Sequence, residues 1–286
     1  MEFLLKYILF IFPVLLLIGQ SQAIVIKEGD CFDLEKSKKW AQKFSNVCEV
    51  IVSHKDGGQY GTGVLISPTS VLTAAHVVRA GETLNKKPIV NFAAHGIGFK
   101  TNDPFRFVDD IIVHPEVNMS KQYICEGVDL AILKFQQPIE NITSVKLYES
   151  KVKENFQGYI VGYGGNGVHN KGVIEKNHTR GMGTTRITGY EGIYMTYDFQ
   201  PSHMPQPGIA PDTFTPTDKM DNYQSIAVPN DSGGPLLFGT APDSLSVAGI
   251  YHGMDLYVNE DGPSLMARSK WIALQPHLEW IKANIQ

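Results

Sequence analysis

Along most of the chain, short apolar runs alternate with clusters of glycine, proline, serine and asparagine, and a sustained helical period is nearly absent. Gly63-Val64-Leu65-Ile66 and Val71-Leu72-Thr73 flank Ser67-Pro68-Thr69-Ser70, which predicts a hairpin. Leu130-Ala131-Ile132-Leu133, Tyr159-Ile160-Val161, Leu236-Leu237-Phe238 and the stretch from Val247 to Tyr251 predict buried strands. Many short strands between Gly/Pro turns describe an all-β sandwich or pair of barrels. Two segments depart from this pattern. Leu274, Leu278, Ile281 and Ile285 fall on one helical face at the C-terminus, with Pro276 suited to a first turn. Asp33 to Phe44 is a charged, loosely amphipathic helix candidate. Gln200 to Asn222 is rich in proline and reads as a long surface loop, because strand patterning resumes directly after it.

The first 23 residues are set aside from the fold. Tyr7 to Ile18 is an uncharged apolar run, shorter than the roughly 20 residues of a spanning helix. Ser21-Gln22-Ala23 then offers small side chains where a signal peptidase reads. The expectation is a signal peptide over residues 1–23, a mature chain from Ile24 that is secreted or periplasmic, and no stable membrane anchor after cleavage. With 43% apolar and 19% charged residues, the chain is neither disordered, collagenous nor a coiled coil. Its 25 basic and 29 acidic side chains leave a net charge of −4, which argues against a nucleic-acid partner. Three cysteines are too few for a disulfide scaffold.

Three segments carry chemistry. Asn230-Asp231-Ser232-Gly233-Gly234-Pro235 places a serine in a run that permits a tight turn and close approach of a substrate backbone. A serine hydroxyl is a weak nucleophile unless a base lies beside it. Thr73-Ala74-Ala75-His76 follows the predicted hairpin and sets an imidazole among small neighbours. Gly127-Val128-Asp129-Leu130 places a carboxylate at the head of an apolar strand, where it needs a partner such as an imidazole N–H. No His-x-x-x-His spacing occurs, so neither a metal nor an organic cofactor is expected.

In the order His76, Asp129, Ser232 these segments resemble the trypsin/chymotrypsin-like serine endopeptidases. Ile112-Val113-His114-Pro115, Gly162-Tyr163-Gly164 and the closing Leu278-Glu279-Trp280-Ile281-Lys282 resemble further segments of the same family, from about Val50 to the C-terminus. The resemblance implies two antiparallel six-stranded β-barrels, the first within residues 24–150 and the second within 151–286, with the active site in the cleft between them and a C-terminal α-helix. It also implies protein or peptide substrates, cut through an acyl-enzyme with Ser232 as nucleophile, His76 as base and Asp129 as its orienter. The oxyanion hole would be the backbone N–H groups of Asn230 and Ser232. Asn230 stands where the family usually has glycine, and asparagine tolerates a left-handed backbone better than most residues. The same resemblance sets Ile226 at the floor of the primary pocket, with His252 and Gly253 on its opposite wall.

Other departures shape the remaining expectations. Gly61 and Val77 occupy the positions of the disulfide that flanks the histidine in animal members, and no cysteine follows Cys125. Cys31 and Cys48 are the pair left to bridge, with Cys125 a free thiol. Ile226 cannot select a basic side chain by charge. His252 is open to two readings: contact with an acidic substrate side chain, or packing beside Asp129. Asp231 is the carboxylate that pairs with a new α-ammonium in the family's zymogens, and the expected signal cut exposes Ile24-Val25. Arg180, Arg186 and Arg268 are alternative cations for it. A catalytically silent binding module on the same fold is the alternative function, and the oligomeric state is left open.

Overall fold

The computed structural model describes residues 25–26, 34–54, 57–78, 87–93, 105–119, 125–164, 166–168, 172–175, 178–199, 225–227, 230–239, 244–258 and 265–285. Strand β1 (Val25–Ile26) and helix α1 (Leu34–Ala41) lead in. The first large sheet is built from β2 (Val47–His54), β3 (Gly57–Ser67), β4 (Ser70–Thr73), β5 (Ile89–Asn91), β6 (Phe105–Phe107), β7 (Asp110–Val113) and β10 (Ala131–Lys134). A two-stranded ribbon, β8 (Val117–Met119) with β9 (Cys125–Gly127), interrupts it. Its antiparallel order is β6-β5-β2-β3-β4-β10-β7.

After β11 (Lys146–Leu147), the chain forms β12 (Gln157–Gly162), β13 (Asn166–Val168), β14 (Gly172–Glu175), β15 (Gly181–Arg186), β16 (Gly189–Glu191) and β17 (Tyr194–Phe199). Strands β18 (Ser225–Ile226), β19 (Pro235–Phe238), β20 (Ser246–Val258) and β21 (Leu265–Ala273) complete it, before helix α2 (Leu278–Asn284). The second large sheet runs β15-β12-β19-β20-β21-β17-β16, and β1 lies between β13 and β18 in a smaller one. This is the expected two-barrel architecture with a C-terminal helix. Among the described residues each main path carries seven strands rather than six, with the short β6 and β16 at sheet edges, and β11 pairs with β20 off the second path.

The pattern of apolar residues explains the core. The predicted hairpin forms as β3–β4, with Val64 opposite Leu72 and Ser67 opposite Ser70. Ala131, Ile132 and Leu133 of β10 are fully buried, so this strand is covered on both faces, as its unbroken apolar run requires. Tyr163 ties the two halves together: its hydroxyl lies within hydrogen-bond reach of the carbonyls of Val47 (3.2 Å) and Ala93 (2.8 Å), to one of which it donates, and its N–H donates to Thr62 Oγ1 (3.1 Å). The Asp33–Phe44 helix forms over Leu34–Ala41, and Ser37 Oγ fixes it to β15 by donating to Met182 O at 2.6 Å. Cys48 is a free thiol on β2, fully buried, and burial pushes it far above the ordinary thiol range. The expected bridge to Cys31 is therefore not formed: Cys48 is a free thiol in the core beside Gly63 of β3, and Cys31 falls outside the described residues, as do residues 1–24 and the stretch 200–222 expected as a surface loop.

The C-terminal segment docks through Leu274 and Ile281, both fully buried, and through an aromatic group. The His114 ring meets those of His277 (4.8 Å) and Trp280 (4.7 Å) edge-on. His114 and His277 are buried, and burial lowers both from the usual imidazole range, with the neighbouring His114 adding to the effect at His277. Glu116 is the charged group that opposes these shifts. The unfolded chain therefore binds more protons than the fold once pH drops below about 6.5. Stability is expected to fall from there towards the depressed folded values. Thermal melts between about pH 8 and 5 should show the midpoint dropping on the acid side, with a flatter profile in His277→Gln.

Candidate active site

His76 leaves the end of β4 through Ala74 and Ala75, both fully buried, whose small side chains let this turn lie against the core. Asp129 sits between β9 and β10 with no exposed surface. Its Oδ1 accepts the His76 backbone N–H at 2.9 Å and its Oδ2 accepts His76 Nδ1 at 2.6 Å. The same Oδ2 lies 2.6 Å from His252 Nδ1. Burial alone raises the Asp129 carboxyl, but the His76 charge and the hydrogen bonds from both imidazoles outweigh it and hold the carboxyl well below the usual carboxylate range. An ionised carboxylate only accepts, so both Nδ1 atoms carry the proton, leaving Nε2 of His76 unprotonated in the neutral ring.

A β-bulge places the second imidazole here. On β20–β21, Tyr251 pairs with Trp271 and Gly253 with Lys270, leaving His252 between them as the extra residue. Such a bulge re-aims its side chain. His252 thus turns onto Asp129, with the Tyr194 ring 5.1 Å away and the His76 ring at 6.0 Å. His76, Asp129 and His252 also form a cluster of possible metal ligands. Their 2.6 Å separations suit shared protons, since zinc's tetrahedral ligands stand about 3.3 Å apart.

Ser232 lies in a turn pressed onto the first barrel. Its carbonyl accepts the Thr62 N–H at 2.8 Å, and Thr62 Oγ1 donates to Asn230 O at 3.1 Å. Gly61 makes this approach possible: a Cβ there would stand 3.0 Å from Ser232 O and 2.5 Å from Val77, the neighbour of His76. Asn230 takes the left-handed backbone (φ 73°), as does Gly233 (φ 81°). A side chain at Gly233 would collide with Thr73 Oγ1 and Thr62 O. Gly233 N–H donates to Tyr251 O and Tyr251 N–H to Gly234 O, both at 2.8 Å, so β20 runs directly beside the serine turn.

Asp231 is buried and its Oδ1 accepts the Gly164 N–H at 3.0 Å. Gly162 leaves it room, because a Cβ there would come within 2.0 Å of that oxygen. In β1, Val25 lies opposite Gly167 on one side and Ile226 on the other. Ile226, expected at the pocket floor, is thus a backbone partner of the segment that follows Ile24, while Ile24 itself lies outside the described residues. Of the alternative cations, Arg180 donates to the carbonyls of Phe44 and Val47, and Arg268 binds Asp198.

Sequence reasoning missed two contributors. Thr62 carries no motif, yet it holds both Asn230 and Ser232. The Tyr251 phenol crosses from β20 to Ala227, donating to its carbonyl at 2.7 Å. Gly253 within an apolar strand was the available hint of the bulge.

These features define a two-barrel β protein whose paired histidine and aspartate stand on the barrel against which a serine-bearing turn is pressed. The sequence profile of the Trypsin family matches residues 39–272, and the chain belongs to that family. A solved structure described as "Structure of GrC" has a similar fold, with a TM-score of 0.56, 17% identity, and coverage of 85% of this chain and 95% of that one. No curated protein sequence matches the chain at a significant level. Among the described residues, no helix is long and apolar enough to cross a membrane.

Proposed function

We propose that the protein is a secreted serine endopeptidase in which Ser232, His76 and Asp129 form the catalytic triad. The observation that carries this reading is the buried Asp129, which holds His76 by both its backbone N–H and its Nδ1, on the barrel that also anchors the Ser232 turn. Ser232 Oγ attacks the scissile carbonyl carbon while His76 Nε2 takes the hydroxyl proton. The carbonyl oxygen gains the negative charge and is received by the N–H groups of Asn230 and Ser232; the left-handed backbone at Asn230 supports this assignment. The tetrahedral adduct then collapses, His76 returns the proton to the leaving amine, and an acyl-enzyme remains. Water, deprotonated by the same Nε2, then adds to the acyl carbon; the ester bond to Ser232 Oγ breaks, His76 returns the proton to that oxygen, and the acid product leaves. Throughout, Asp129 keeps the imidazole in the Nδ1–H tautomer and stabilises the imidazolium.

The leading segment has a defined role in this reading. Cleavage of a signal peptide after Ala23 frees the α-ammonium of Ile24, which pairs with Asp231 and orders the serine turn. The register of Val25 beside Ile226, close in sequence to that turn, favours this path. N-terminal sequencing of active secreted protein should begin at Ile24, and an active form starting elsewhere contradicts the pairing. For the activity itself, casein hydrolysis by the mature protein should vanish in Ser232→Ala. Hydrolysis that survives this change removes Ser232 as nucleophile, and absence of hydrolysis in both favours a binding module on the same fold.

A further inference from the structure

Strand β20 runs beside the Ser232 turn, bonded to Gly233 and Gly234, and Ala227, just after β18, stands across from it. Between them stands the side chain of Tyr251. Its backbone is locked to the serine turn on both sides, through Gly233 N–H to its carbonyl and its own N–H to Gly234 O. The ring therefore has a fixed origin immediately beside the nucleophile. From there it reaches across to Ala227, where the hydroxyl donates to the carbonyl at 2.7 Å. Only 2% of Tyr251 is exposed, and the fully buried Trp271 backs the ring with centroids 5.6 Å apart. Among the described residues, the gap ringed by Ala227, Asp231, Gly234, Tyr251 and Trp271 has no room for a water-sized body. Burial keeps the phenol protonated far above its usual range, so the donated bond persists through the ordinary pH scale.

His252, the next residue on this strand, turns onto Asp129 instead. His252 Nδ1 is held by Asp129 and its ring packs on Tyr194. The space behind β20, next to the serine turn, is therefore filled by an aromatic ring. We propose that Tyr251 closes the primary substrate pocket from within, so that the protein accepts before the cut only residues with small side chains: glycine, alanine or serine. This rests on the endopeptidase reading for the direction of cleavage, but the depth of the pocket is a property of the fold and can be measured without turnover.

The test uses Ser232→Ala protein, which binds but cannot acylate, titrated with product-like peptides that differ only in a C-terminal Gly, Ala, Ser, Leu, Phe or Lys. Peptides ending in Gly, Ala or Ser are expected to bind at least roughly tenfold more tightly than those ending in Leu, Phe or Lys, the discrimination a steric change in one pocket supports. Adding Tyr251→Val should open this space and reverse the order for Leu, while Tyr251→Phe, which keeps the ring, should leave the order unchanged. Tyr251→Val retains a β-branched residue suited to a strand, and its melting curve reports whether it folds; the order measured in the unaltered pocket stands independently of that variant. Equal binding of Phe- and Ala-ended peptides overturns the proposal, as does an absence of binding by any peptide. Failure of the endopeptidase reading is seen separately, as loss of casein cleavage in protein whose Ser232 is intact.

Discussion

Asp129→Asn is expected to lower kcat by about 10,000-fold while leaving the fold in place, the scale seen when a triad carboxylate is made neutral with its shape preserved. The physical cause lies in the acceptor. Asp129 Oδ2 receives two imidazole N–H groups and Oδ1 a backbone N–H. An asparagine keeps one acceptor oxygen and presents an NH2 donor at the other position. The His76 backbone N–H can only donate, so the oxygen keeps the Oδ1 place, the NH2 takes the Oδ2 place, and an imidazole it meets must offer a lone pair at Nδ1, which moves its proton to Nε2. If that ring is His76, the base no longer faces Ser232 with a free lone pair. The effect belongs in kcat, with KM little changed, because nothing that holds the substrate before reaction is altered.

The same carboxylate sets an acid dependence of stability. Its folded pKa lies below its unfolded one, so its contribution is complete above the unfolded value, about 3.9, and is lost as pH falls through the folded value. The difference in melting midpoint between the native protein and Asp129→Asn should be constant near neutrality and shrink below about pH 4.

Gly233→Ala should have the second-largest effect, and by a different route. At φ 81° an added methyl is strained whatever the space around it. Here there is none: the Cβ would stand 2.1 Å from Thr73 Oγ1 and 2.3 Å from Thr62 O. Thr73 Oγ1 also donates to Thr62 O at 2.7 Å, so both obstacles belong to one bonded unit joining β3 and β4. Relief requires the serine turn to lift off the first barrel, breaking the Thr62–Ser232 bond. A loss of about 2–4 kcal/mol in chemical denaturation and loss of hydrolysis are expected together. Gly58→Ala provides the contrast: its Cβ would meet nothing closer than 3.8 Å, and stability should stay within about 0.5 kcal/mol.

The parts of this site legible in the sequence are those in which chemistry and local pattern coincide. His76 after the β3–β4 hairpin, Asp129 at the head of β10 and Ser232 in its glycine-rich turn could be read because each combines a reactive side chain with a short-range structural signal. Asn230 fits the same account, since its capacity for positive φ is a property of the residue itself. What escaped depends on register and on side-chain direction across a sheet. One extra residue in β20 decides that His252 faces Asp129 while Tyr251 faces Ala227, and no periodicity within a strand records such an insertion. The expected Cys31–Cys48 bridge failed for a related reason. Counting cysteines says which can pair, but not that Cys48 lies on a β2 strand paired with β3 and buried at every position from Val47 to Val50. Seven strands per sheet path rather than six is a matter of edge pairing by three-residue segments, too short to carry a pattern.

The central claim is that Ser232 is a nucleophile activated by a base held on Asp129. It is tested most directly by treating the mature protein with a peptidyl phosphonate, small at the position before the phosphorus, and mapping the adduct by mass spectrometry. One adduct is expected, on Ser232, formed at a rate depressed in Asp129→Asn. An unmodified Ser232 in folded protein bearing its native N-terminus, or equal labelling in Asp129→Asn, would contradict it.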